Sequence, residues 1–341
     1  MFESVSAHRP NWILRVSCMV AAIAVTVTAI SFWRATHMPL HSYRGPLPTL
    51  TADQAALRDR LADHVRYLSS KIGERNVSHP SSLLAAKGYL RTTLQDIGYE
   101  VTELRYFVGK VEVTNLEVVV PGADSSKTVL VGAHYDSAQN TPGANDNASG
   151  VAAVIELARN FHNTRPRQTL RFVFFVNEEP PFFQTDRMGS LVYARKLREN
   201  KVSVSAMLSL ETIGYYSDTT GSQHYPFPLG LIYPSRGNFI GFVSNPESRE
   251  LLLRAIRTFR ATSTFPSEGL AAPSEWPGIG WSDHWSFWQE NYPAIMITDT
   301  AVFRYSYYHS PHDVASNIDL QKTARVVDGI SNVIKSLAEQ D

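Results

Sequence analysis

Residues 128–136 read TVLVGAHYD, and this stretch decides the fold. The run from 128 to 133 carries no charge and no polar alternation, so it suits a strand buried on both faces. Such a strand lies inside a parallel sheet covered by helices. It ends in His134, Tyr135 and Asp136, which places polar groups at the strand's carboxyl end. Three other runs repeat this arrangement. Residues 170–176 (LRFVFFV) lead into Asn177, Glu178 and Glu179, and residues 206–210 (AMLSL) lead into Glu211. Residues 294–298 (AIMIT) are followed later by Tyr308 and His309.

Helical spacing fills the intervals. It predicts helices over 52–70 (Leu57, Leu61, Val65, Leu68), through Leu83 to Ile97 with a stop at Gly98, over 150–162, over 189–199 and through Val326 to Leu337. Residues 104–108 and 115–120 are expected as an antiparallel edge pair. Buried strands alternating with helices predict one α/β domain, with a mostly parallel central sheet flanked by helices on both faces.

The N-terminus has its own pattern. Residues 16–33 (VSCMVAAIAVTVTAISFW) lack charge, and at about 1.5 Å per residue a helix of this length matches a bilayer's hydrocarbon thickness. The expectation is a cytoplasmic tail over 1–15, a transmembrane anchor over 16–34, a linker over 35–50 and a domain over 51–341, with the domain extracytoplasmic. A cleaved secretory signal is the alternative, although the run ends in Phe32 and Trp33 with no clear small-x-small site. Arg9 and Arg15 precede the run while Arg34 and Arg44 follow it, so flanking charge is nearly balanced. Three prolines and a glycine mark 35–50 as a linker.

Composition excludes several classes. The 341 residues are 43% hydrophobic and 19% charged, with 32 basic against 32 acidic side chains. That balance describes a globular chain without the basic footprint of a nucleic-acid binder. The one cysteine, Cys18, lies in the apolar run, so no disulfide is used and a metal site in the body draws on His, Asp and Glu.

Ligands at the carboxyl ends of several strands converge on one edge of the sheet. His134, Asp146, Glu179, Glu211 and His309 suit zinc or a similar divalent ion, and they exceed what one catalytic zinc takes. They fit two ions if one carboxylate bridges, and Asp146 sits in a Gly/Asn-rich loop able to present both oxygens. Of the neighbours Glu178 and Glu179, one can ligate while the other acts as general base. Asp136 is placed to accept the second ring N–H of His134.

These residues resemble a known family. His134-x-Asp136-Ser137, the segment 143–150 (GANDNASG), Glu178-Glu179, Ser282-Asp283-His284 and Tyr308-His309-x-x-x-Asp313 are similar to the motifs of the di-zinc aminopeptidases, peptidase family M28. Residues 72–76 (IGERN) resemble a stretch near the start of such domains. The resemblance covers roughly 50–335. It implies a zinc-exopeptidase fold and two zinc ions, with Asp146 bridging, His134 and Glu211 on one ion, and Glu179 and His309 on the other. It also implies Glu178 as general base, Tyr308 as an oxyanion stabiliser, and removal of the N-terminal residue from peptides. Two alternatives share the fold: a one-zinc glutaminyl-peptide cyclotransferase and a non-enzymatic ectodomain.

Glu211 departs from the family's frequent Asp. The Pro180-Pro181-Phe182-Phe183 loop is another departure, and it and residues 214–245 are expected to wall the substrate pocket. His312 is a decoy beside His309, Arg304 reads as a structural ion pair or a carboxylate binder, and Trp281, Trp285 and Trp288 read as helix core.

Overall fold

The computed structural model describes residues 11–340, with the side chains of Asn11, Ile13 and Leu14 excepted. The expected tail therefore lies mostly outside the described residues. The chain divides into two compact units at His37 and Met38, and each is taken by itself.

The first unit is helix α1 (Asn11–Thr36). Its segment Arg15–Thr36 has mean hydropathy 2.0 and is not buried, so by length and composition it is able to cross a membrane. Within it, Thr26 and Thr36 donate their hydroxyls to the carbonyls of Ala22 and Phe32, which leaves those polar groups satisfied without water. Cys18 is exposed on this helix.

The second unit, Met38–Asp341, is built on one eight-stranded sheet. Its strands are β1 (Thr102–Val108), β2 (Val111–Val120), β3 (Asp124–His134), β4 (Gln168–Phe175), β5 (Val204–Glu211), β6 (Ile240–Ser244), β7 (Ser267–Ala271) and β8 (Ala294–Thr298). Their order is β1-β2-β4-β3-β5-β8-β6-β7. The four runs read as buried strands lie side by side and parallel as β4, β3, β5 and β8. β1 and β2 form the expected antiparallel edge, and β2 pairs antiparallel with β4. On the other side β6 runs antiparallel to β8 and parallel to β7.

Helices α2 (Ala52–Arg66), α3 (Pro80–Ile97), α4 (Gly150–Phe161), α6 (Arg249–Thr262) and α9 (Leu320–Ala338) cover one face. The other face holds α5 (Gly189–Glu199) and α7 (His284–Gln289), whose Tyr193 and Phe287 pack with Phe175 and Met207. A short α8 (Ala301–Arg304) follows β8. Thr51 and Gln54 close a capping box at the start of α2, and Gly98 stops α3 in the left-handed region (φ 112). The helix expected over 52–70 is α-helical to Arg66 and continues as a wider π-type turn over Tyr67–Ile72.

Residues 35–50 divide. The first two finish α1, while 38–50 carry no helix or strand and lie against the body. Met38 is buried there, Arg260 donates to the carbonyls of Pro39 and Leu40, and Arg325 donates to that of Pro48. Proline and glycine exclude helix and ladder, but they leave an extended strap free to bind through its carbonyls.

Candidate metal centre

The sheet delivers its polar groups to one edge. His134 ends β3 and Glu211 ends β5, while Glu178 and Glu179 follow β4 after Asn177, which turns the chain with φ 62. Asp146 comes from the loop before α4, and His309 from the segment after α8. Asp146 joins the two halves. Its Oδ1 lies 3.3 Å from His134 Nε2, and its Oδ2 lies 3.0 Å from His309 Nε2. Glu211 Oε2 is 3.2 Å from His134 Nε2, and Glu179 Oε2 is 3.1 Å from His309 Nε2. Glu178 Oε2 stands 3.8 Å from His134 Nε2.

Both ring nitrogens of His134, both oxygens of Asp146 and Oε1 of Glu179 are buried without a hydrogen bond. Buried polar atoms left unsatisfied are costly. Here they face one another instead of pairing as donor and acceptor, as ligand atoms do around a cation. Donor atoms of His134, Asp146 and Glu179 lie within 4.8 Å of one another. Burial also drives the carboxyls of Glu178, Glu179 and Glu211 up from their usual range. Asp146 is the exception: burial opposes its ionisation, but the close imidazoles of His134 and His309 outweigh burial and hold it below the usual range. Carboxylates crowded in a dry site call for positive charge beyond the two imidazoles, and a divalent ion supplies it.

The loop carrying Asp146 is fixed from several sides. The Asp313 carboxylate accepts the N–H groups of Asn145 and Asp146 at 2.8 and 3.0 Å, and Tyr305 donates its hydroxyl to the same carboxylate. Asn145 donates to Asp299 and accepts from the Gly214 N–H; Asn147 donates to the Leu210 carbonyl. Fully buried Arg75 donates to the carbonyls of Tyr135, Pro142 and Gly143. Gly143 sits at φ 65, and a Cβ there would meet the Asp146 carbonyl at 2.4 Å. The supporting roles of Arg75, Asp299 and Asn145 escape sequence reasoning, since their partners are mostly backbone groups or distant side chains.

Other expectations resolve by position. Asp136 lies 3.5 Å from His134 Nδ1 and accepts the N–H groups of Glu178 and Glu179 at 3.3 and 3.2 Å, so it orients both strand ends. Tyr308 stacks on the His309 ring at 3.9 Å, and burial first, then the surrounding carboxylates, raise its hydroxyl pKa. His312 is exposed and packs against the Tyr307 ring, away from the cluster. The buried Asp283 carboxylate has no hydrogen-bond partner, while His284 Nε2 meets the Ile279 carbonyl at 2.7 Å. Arg304 spends its fork on Gln223 and the Phe239 carbonyl, a structural use.

A cleft opens beside Glu211 and Tyr308. Residues 214–245 supply one wall through Tyr225, Leu229 and Tyr233. Phe182 and Phe183 do not line it: Phe182 packs on the core, held by the turn after Glu179. Trp281 does line it, whereas Trp288 donates to the Ala294 carbonyl as a packing residue.

The chain belongs to peptidase family M28, whose profile matches residues 115–334, the part that holds the sheet and this cluster of imidazoles and carboxylates. It is 36% identical over 285 residues to the uncharacterized protein YfbL of Escherichia coli (strain K12), across 81% of this chain and 87% of that one. It is 28% identical over 254 residues to a probable leucine aminopeptidase of Trichophyton verrucosum, across 69% of this chain and 60% of that relative's length. In fold it resembles BSAP, a zinc aminopeptidase from Bacillus subtilis, with TM-score 0.66 and 13% identity over 83% of this chain and 95% of that one. It also resembles a glutaminyl cyclase from Fimbriiglobus ruber, with TM-score 0.62 and 18% identity over 88% of this chain and 98% of that one.

Proposed function

We propose that this chain is a zinc aminopeptidase that hydrolyses the N-terminal peptide bond of peptides. The observation that carries the reading is the divided Asp146 carboxylate, one oxygen toward His134 and Glu211, the other toward His309 and Glu179. That donor set fits two zinc ions, with Asp146 shared between them. Bound there, the ions would polarise the scissile carbonyl and acidify the attacking water. Glu178 takes that water's proton and passes it to the leaving amine; burial first raises its pKa above the usual carboxylate range, which favours proton uptake. Asp136 keeps Glu178 in place through its backbone N–H. Tyr308 donates its hydroxyl to the oxygen that gains charge.

The test is elemental mass spectrometry of the purified full chain, together with turnover of aminoacyl amides. The expected result is two zinc per chain. Glu178→Gln keeps both ions and loses turnover by about 10²- to 10⁴-fold, the usual worth of a general base. Zinc absent and not recovered on addition would overturn the reading. The second reading, cyclisation of N-terminal glutamine with one zinc, rests on the glutaminyl cyclase likeness. Release of pyroglutamate from a Gln-peptide, with one zinc per chain, would select it. The same proposal places residues 16–34 in a membrane with the body extracytoplasmic. Protease protection of the N-terminus in sealed vesicles, with the body digested from outside, checks it against secretion after signal cleavage.

A further inference from the structure

The N-terminal residue the cleft takes is written in one row of the sheet. Glu211 on β5 pairs with Thr298 on β8, Thr298 with Gly241 on β6, and Gly241 with Glu268 on β7. Directly paired residues point to the same face, so Glu211 and Glu268 stand at the two ends of one row. At ordinary strand spacing the ends are about 14 Å apart. All four residues line the cleft. Thr298 is small and Gly241 has no side chain, so the middle of the row is a trough. Its walls are apolar, from Tyr225, Leu229, Leu270, Trp281 and Phe303.

Among the described lining residues Glu268 and Glu211 are the only charged ones. Glu211 belongs to the metal cluster. Glu268 stands at the far end, its side chain 21% exposed, with Arg260, Ser42 and Arg44 beside it. The nearest cation is Arg260, whose Nη2 is 3.5 Å from Glu268 Oε2. Arg260 gives its closer hydrogen bonds elsewhere, to the carbonyls of Pro39, Leu40 and Ser267 and the Ser267 hydroxyl. With one 3.5 Å ion pair to Arg260 and a bond from the Ser42 hydroxyl, the Glu268 carboxylate still keeps lone pairs for another donor.

We propose that the cleft selects peptides beginning with lysine or arginine, whose methylene stem lies along the apolar trough and whose cationic head meets Glu268. The inference rests on the aminopeptidase reading. Lysine and arginine are the side chains that combine an apolar stem with a charged end. A purely apolar side chain would cover the exposed part of the Glu268 carboxylate without giving its remaining lone pairs a donor, which costs affinity. An acidic one would be repelled.

The experiment uses the zinc-loaded full chain in detergent. It compares kcat/KM on Arg-, Lys-, norleucine- and Leu-aminomethylcoumarin; norleucine has lysine's stem without its charge. Arg and Lys substrates should lead by roughly 10- to 100-fold, the worth of one charge-assisted hydrogen bond. Glu268→Gln should collapse the Arg-to-norleucine ratio by that factor, and Glu268→Asp should restore part of it. Calorimetric binding of arginine and norleucine hydroxamates should follow the same order. Leucine or norleucine matching arginine, or a Glu268→Gln change equal on all substrates, would overturn the proposal while leaving the aminopeptidase reading intact. Ordered hydroxamate binding without any turnover would uphold the cleft assignment and sink the aminopeptidase reading.

Discussion

Gly143 shows how little room the loop that carries Asp146 has. Its backbone is left-handed, and a methyl group on its Cα would come within 2.4 Å of the Asp146 carbonyl, which leaves no space for any side chain. Gly143→Ala should weaken zinc binding by about 10- to 100-fold, the usual cost of disturbing the groups that orient a ligand. Competition against a zinc-sensitive dye measures this, and an unchanged affinity would mean the loop relaxes. Most of the proposed ligand residues were legible in the sequence because they follow mostly apolar strands or lie inside a Gly/Asn-rich turn; His309, in the segment after α8, was legible only through its family-like motif. Arg75 was visible only as part of a short family-like stretch. A guanidinium that binds four backbone carbonyls, that of Gly73 included, leaves no pattern of matching side chains to read.

Between elements, α2 is fastened to α4 by one buried carboxylate. Glu156 accepts from Arg60 at 2.5 Å, from His64 at 3.1 Å and from Arg159 at 3.0 Å, and its side chain is fully covered. Burial pushes its pKa up, but the bonds from His64, Arg60 and Arg159 win and hold it at about 2. A lowered folded pKa stabilises above the unfolded value and loses that stability as pH falls. The contribution, roughly 3 kcal/mol, should be complete above pH about 4.5 and vanish toward pH about 2. Thermal melts of wild type and Glu156→Gln should differ at pH 7 and converge as pH falls through that window; a constant gap would refute the assignment. The parallel strands β3, β4, β5 and β8 were legible because both their faces are buried. β6 and β7 were not, since IGFVS and SEGLA are short, and SEGLA alternates weakly around a glycine.

For the whole molecule, the composition of residues 35–50 pointed to a linker, while the structure uses most of it as a strap. What the sequence lacks there is any sign of the partners, because Arg260 and Arg325 lie more than two hundred residues away. A body beginning at Met38 should be more stable than one beginning at Thr51. Loss of Met38 burial and of the strap's hydrogen bonds amounts to about 2–4 kcal/mol. Scanning calorimetry should show the shorter form melting roughly 3–6 °C lower; equal melting would make the strap incidental. The strap also meets a particular strand. Ser42 Oγ accepts the N–H of Ser267 on β7, the last strand of the sheet, and Met38 lies against Gly269 of the same strand. At the opposite margin, β1 carries Glu103 among Lys87, Arg91 and Arg105. One margin is shielded by charge and the other by the chain's own leader segment, so neither invites a foreign strand to add on. Trimming that segment would turn a guarded margin into a template for aggregation, visible as growing light scatter on storage before any loss of secondary structure.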